Sequence, residues 1–273
     1  MTSRISKVFK DHRLEKRSAF IPYITAGDPD RNLSQMIFEA LPSGGADIIE
    51  LGMPFSDPMA DGPSIQESSL RSLDQGQDMN KTLNMVQIFR EKNKKTPIIL
   101  MGYFNPILQY GINSFLEECE KIGVDGLIIV DLPPEEDEEF YIEAERNKLC
   151  VIRLVTPTTD EKRLNKILFN ATGFVYYVSI TGITGTQAPN VANVSINLKK
   201  ITTVTDLPVV IGFGIRSPSQ ASSMANISDG IVVGSAVVDL IKSSLDNDDN
   251  PTKQTLNSCL DFISKVSENV KHN

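Results

Sequence analysis

Eight runs rich in β-branched and aromatic residues alternate with helical patterns from one end of the chain to the other, and they predict an α/β fold closed into a (β/α)8 barrel. Two further observations favour closure over an open sheet. Several runs are apolar throughout, as in Leu127–Val130 and Val209–Ile211, the pattern of strands buried on both faces under crossover helices. The first strand is followed by Thr25-Ala26-Gly27-Asp28-Pro29, where a doubly wound sheet would carry a GxGxxG turn. A length of 273 residues with no linker of shifted composition suits a single domain, since one barrel uses about 250 residues.

The elements follow in order. Ile5, Val8, Phe9 and His12 keep helical spacing, so residues 1–17 are expected to form an amphipathic helix packed on the barrel. Strands are expected at 19–26, 47–53, 97–103, 126–132, 150–156, 173–179, 208–214 and 230–236. Between them, apolar residues at helical spacing mark Leu33–Leu41, Leu83–Lys92, Ile112–Ile122, Glu135–Arg146, Glu161–Phe169, Ser195–Val204 and Ser217–Ala225. The acidic run Glu135–Glu139 follows two prolines and reads as a solvated helix start that complements the macrodipole. Asp246–Pro251 is polar enough for a linker, but only one helical stretch, Thr252 to Val270, follows it, so a surface loop is expected.

Composition narrows the chemistry. Lys and Arg number 27 against 35 Asp and Glu, a net charge of −8, which leaves no basic footprint for nucleic acid. The two histidines, His12 and His272, lie near opposite ends, so neither a His-dependent triad nor a multi-His metal site is expected. Cys119, Cys150 and Cys259 are widely spaced and read as small packing residues in a reducing compartment, the cytoplasm. No apolar run approaches the ~18 residues of a membrane span, and the first residues lack the uninterrupted apolar core expected of a secretory signal. Acid–base work therefore falls to carboxylates.

In a barrel the strand ends and the loops after them build the active face. Glu50 sits inside the apolar second strand, where an unpaired carboxylate is costly to ionise. It reads either as half of a buried ion pair, with Arg153 or a lysine, or as a general acid–base with a raised pKa. The loop Pro54–Pro63 holds three prolines and a glycine, stiff enough to fix Asp57 and Asp61 over the barrel mouth, although Asp before Pro or Gly also serves plain turns. Glycines after strands six, seven and eight (Gly182, Gly185, Gly214, Gly234), with Ser235, converge on one face and suggest main-chain phosphate binding, Arg216 nearby. Tyr176 and Tyr177 are adjacent, so only one faces the barrel interior.

The segment Glu50–Pro63, ELGMPFSDPMADGP, closely resembles the signature of tryptophan synthase alpha chains. The resemblance extends to Phe20–Pro29, Ser179–Gly185, Gly212–Ile215 and Gly234–Ala236, in family order along nearly the whole chain. It implies a TIM barrel with an added N-terminal helix and retro-aldol cleavage of indole-3-glycerol phosphate to indole and glyceraldehyde 3-phosphate, with no metal or organic cofactor. It assigns the catalytic carboxylates to Glu50 and Asp61, and selects Tyr103, Tyr176 and Phe213 for the indole ring, with Tyr23, Leu100 and Ile128 as further lining. Thr184 falls near the family position that meets the catalytic aspartate, within a segment, 182–194, expected to act as a mobile lid. The implied partner is a beta chain in an α2β2 heterotetramer, docked near Asp57, Asp131 and Pro133. A stand-alone lyase releasing indole, a weakly catalytic activating partner and a sugar-phosphate isomerase are the alternatives.

Overall fold

The computed structural model describes residues 3–179, 190–212 and 214–271. Its strands are β1 (Ala19–Thr25), β2 (Ile49–Gly52), β3 (Ile98–Gly102), β4 (Gly126–Ile129), β5 (Cys150–Val151), β6 (Arg153–Val155), β7 (Val175–Val178), β8 (Val209–Gly212) and β9 (Gly230–Val233). Their order is β5-β4-β3-β2-β1-β9-β8-β7-β6, with every pairing parallel. Only Ile152 separates β5 from β6, so the two ends of that order are halves of one strand. The lower half pairs with β4 and the upper half with β7. The eight expected strands thereby close into a (β/α)8 barrel of the TIM type.

The helices among the described residues are α1 (Arg4–Glu15), α2 (Arg31–Ala40), α3 (Pro63–Asp74), α4 (Met79–Lys92), α5 (Phe104–Tyr110), α6 (Ile112–Ile122), α7 (Glu138–Arg146), α8 (Glu161–Leu168), α9 (Val191–Thr202), α10 (Pro218–Ala225), α11 (Ser235–Ser243) and α12 (Thr255–Lys271). Three of these escape the hydrophobic pattern, each for a local reason. The buried face of α3 is made of Ser68, Ser69 and Ser72, so it has no apolar stripe. The seven-residue α5 holds Pro106 in its first turn, and α11 continues directly from the apolar run of β9.

Side chains alternate between two layers, as strand geometry requires. Ile21, Tyr23, Ile48, Ile99, Met101, Ile128, Ile152, Tyr176, Val210 and Val232 pack inside the barrel. Phe20, Ile24, Ile49, Leu51, Leu100, Leu127, Val155, Val175, Tyr177 and Ile211 pack outward against the helices. The expected N-terminal helix closes the lower end, where Ile5 and Phe9 join the inner cluster and the Phe9 ring lies 5.6 Å from that of Phe174. Each of these burials contributes about 2 kcal/mol. Ion pairs fasten α1 and the turn after it: Arg4 to Asp125 at 2.8 Å and Arg17 to Asp47 at 3.1 Å. The three cysteines are free and buried. No helix among the described residues is long and apolar enough to cross a membrane.

The acidic run departs from its expected role. Helix α7 begins at Glu138, and Asp137 ahead of it is buried in an ion pair with Arg153 rather than solvated. Glu135 pairs with Arg163 on α8. Asp246 behaves as expected of a surface turn, its carboxylate accepting the N–H groups of Asp248 and Asn250 at 2.9 Å each.

Candidate active site

Glu50 lies on the inward face of β2 with 1% of its surface exposed. Among the described residues no hydrogen-bond partner reaches its Oε2. The ion-pair reading with Arg153 fails on strand parity: Arg153 shares the outward side of its strand with Val155, and its guanidinium goes to Asp137. Burial, reinforced by the charge of Asp61, pushes the Glu50 carboxyl up to about 8. It is therefore a neutral acid at pH 7.

Asp61 is carried by the stiff loop between β2 and α3. Its N–H donates to the Pro58 carbonyl at 3.0 Å, Gln66 Nε2 donates to its carbonyl at 2.9 Å, and Pro63 starts α3 two residues later. Burial raises its carboxyl to about 6, against a hydrogen bond from the Tyr103 hydroxyl that lowers it. Asp61 thus stays ionised at pH 7 beside a protonated Glu50. The two carboxylates have been driven apart in pKa, the arrangement that divides acid and base roles. Asp57, by contrast, is exposed and accepts from Ser56 Oγ at 2.6 Å.

Tyr103 holds this loop. Its Oη accepts the Ala60 N–H at 2.9 Å and donates to Asp61, while its ring lies 5.4 Å from Phe55. Replacing Tyr103 by Phe removes the bond that favours ionised Asp61. The acid limb of the pH–rate profile is then expected to move up by about one unit, a charge-assisted hydrogen bond being worth roughly 1.5–3 kcal/mol. Steady-state assays between pH 5 and 8 check the shift.

The carboxylates open onto a cavity of about 520 Å³ at the C-terminal ends of the strands. Tyr23, Met101, Val130, Leu154, Tyr176 and Val178 supply its apolar wall, and Gly214, Gly234, Ser235 and Arg216 its opposite end. Tyr176 faces in, whereas Tyr177 faces out and its Oη accepts from Asn197 at 2.9 Å. Leu100 turns toward the helices, so the expected lining residue is replaced by its neighbour Met101. Ile128 is in the inner core below the cavity, and Val130, two residues on, lines it. Val178 was within reach of the period-2 pattern once Tyr176 fixed the inward face of its strand, whereas Met101, Val130 and Leu154 lie on or just beyond other strands, whose parity only the folded sheet decides.

At the polar end, Gly214 takes φ +77°, and α11 starts at Ser235 with Gly234 as its cap, a residue with no side chain to bond the helix's first amides. A helix start of this kind offers N–H donors and a positive dipole end to an anion. Arg216 borders the same end, its Nη1 held 3.1 Å from Asp239. Thr184, Gly185 and Phe213 lie outside the described residues. Of the expected lid, residues 190–194 form the cap and first turn of α9, and the rest lies outside the described residues.

Fold and site together define a (β/α)8-barrel enzyme that pairs a neutral with an ionised carboxylate over an apolar cavity ending in main-chain donors. The family model for the tryptophan synthase alpha chain matches residues 9–267. A crystal structure of tryptophan synthase subunit alpha from Legionella pneumophila shares 34% identity, covers 100% of both chains and superposes with a TM-score of 0.91. Tryptophan synthase from Mycobacterium tuberculosis shares 32% identity over 100% of both chains, with a TM-score of 0.88. The chain belongs to the tryptophan synthase alpha chain family. It is a lyase of tryptophan biosynthesis that cleaves indole-3-glycerol phosphate to indole and glyceraldehyde 3-phosphate, in a family whose members partner with a beta chain.

Proposed function

We propose that Glu50 and Asp61 carry the cleavage between them. The carbon–carbon bond breaks with indole as leaving group, which requires a proton on C3 of the ring; the resulting positive charge rests largely on the ring nitrogen. Glu50 delivers that proton and takes the one released by the hydroxyl on the carbon attached to the ring. Asp61 accepts the ring N–H and stabilises the charge that develops there. The observation that carries this reading is a buried Glu50 with no partner on Oε2 among the described residues, its carboxyl pushed up to about 8 beside an Asp61 raised only to about 6. Indole release from indole-3-glycerol phosphate, assayed with and without a beta chain, tests it: cleavage by the chain alone, enhanced by the partner, is expected.

Gly214, Gly234 and Ser235 hold the phosphate on main-chain amides, joined on the family pattern by Gly185, while Tyr176 and Phe213 flank the indole and Thr184 meets Asp61. Indolepropanol phosphate is accordingly expected to bind at least tenfold more tightly than indolepropanol, because charge-assisted bonds are worth about 1.5–3 kcal/mol. A Cβ at Gly234 already lies 3.3 Å from Tyr23 Cβ, so Gly234→Val should abolish most of that preference. Calorimetric titration of both ligands against both proteins checks this; equal affinities for the native chain would remove the anion site. Assembly is as an α2β2 heterotetramer in the cytoplasm, with the exposed Asp57 and Met59 beside the barrel mouth available to the partner.

A further inference from the structure

We infer that the Tyr23 hydroxyl is a hydrogen-bond acceptor for the middle hydroxyl of the substrate's glycerol chain, and so selects substrates that carry it; this rests on the roles given above to Glu50, Asp61, Gly234 and Ser235. Tyr23 is the Cα partner of Glu50 across β1 and β2, and both side chains point inward. Its Cβ faces Gly234 at the polar end of the cavity. Its hydroxyl lies over Gly52, two residues beyond Glu50, and takes the space a Cβ there would need. The side chain thus spans the interval between the anion-binding end and the carboxylates. That interval is the one the glycerol chain crosses when its phosphate sits on Gly234 and its ring beside Asp61.

The direction of the hydroxyl is settled by counting protons. Ser68 Oγ lies 2.8 Å from the Ile65 carbonyl, Thr25 Oγ1 lies 2.6 Å from Ser68 Oγ, and Tyr23 Oη lies 3.3 Å from Thr25 Oγ1. The carbonyl only accepts, so Ser68 gives its proton there, Thr25 gives its own to Ser68, and Tyr23 gives its own to Thr25. No other assignment keeps all three hydrogen bonds. Tyr23 therefore turns lone pairs, and no proton, toward the cavity. Burial holds its phenol well above the usual range, so it remains a neutral acceptor. Of the substrate's donors, Asp61 takes the ring N–H and Glu50 the reacting hydroxyl, which leaves the middle hydroxyl for Tyr23.

The test compares indole-3-glycerol phosphate with its analogue lacking the middle hydroxyl, by indole release. The native enzyme is expected to prefer the natural substrate ten- to hundredfold in kcat/KM, since an acceptor left unpaired in a closed site costs on that scale. Tyr23→Phe should lose ten- to hundredfold with the natural substrate, stay within twofold with the analogue, and so show almost no preference. A Tyr23→Phe enzyme that slows equally on both substrates, or one that keeps the native preference, would overturn the inference. Failure of the underlying catalytic reading would show differently, as turnover that survives loss of the Glu50 carboxyl.

Discussion

Glu50→Gln is expected to lower turnover of indole-3-glycerol phosphate about a thousandfold or more, because a single general acid–base contributes roughly 10²–10⁴ and the role proposed for Glu50 covers two proton transfers. The amide keeps the shape of the side chain, so the protein should fold and bind indolepropanol phosphate normally. Its stability should change in a pH-dependent way. The folded-state value of about 8 lies above the ordinary 4.5, so the folded protein holds a proton that the unfolded chain releases. Stability from this group is fully present below the ordinary value and is lost as pH rises through the folded one, at up to about 1.4 kcal/mol per pH unit. The Gln variant lacks that loss. Denaturant unfolding at pH 5 and pH 8 should show it gaining on the native protein between the two. A variant that unfolds at pH 7 would instead mean that the carboxylate is charged and held by a cation.

Asp61→Asn is expected to reduce kcat by about a hundred- to a thousandfold, the scale for removing one group aimed at developing charge. Asparagine retains a carbonyl that accepts the ring N–H, so binding of the ground state survives and KM should move by less than threefold. What it lacks is the negative charge that opposes the positive charge formed on the ring nitrogen. Asp57→Asn offers the contrast within the same loop: Asp57 is exposed and engaged by Ser56, and its loss should cost less than threefold when the chain is assayed alone. A variant of Asp61 impaired in KM and not in kcat would assign the residue to binding rather than to catalysis.

Much of this site was legible because its residues break local rules. Glu50 stands out as a charge inside an apolar strand, and the proline-rich loop after it marks Asp61 as fixed in place. What the chain conceals is pairwise geometry between segments distant in sequence. Arg153 and Asp137 are 16 positions apart and read separately as a strand cation and a solvated helix start, yet they neutralise each other behind the sheet. Tyr103 reads as a ring for the indole, and only the folded loop reveals that its hydroxyl is spent on Ala60 and Asp61. Helix α3 is invisible to hydrophobic periodicity because serines form its buried face, and one of them, Ser68, completes the hydroxyl chain from Tyr23. Leu100 and Met101 show the remaining ambiguity: adjacent strand residues are equally apolar, and parity relative to a known inward neighbour decides which one meets the ligand.

The most direct test of the assigned carboxylates is the pH dependence of kcat/KM for indole release by the native chain. The account predicts a bell whose alkaline limb falls tenfold per pH unit above about 8, where Glu50 loses its proton, with an acid limb near 6 where Asp61 becomes neutral. The alkaline limb is the decisive one, since the substrate's phosphate also titrates on the acid side at a pKa of about 6. A rate that stays level from pH 7 to pH 10 would contradict the assignment of Glu50 as the acid.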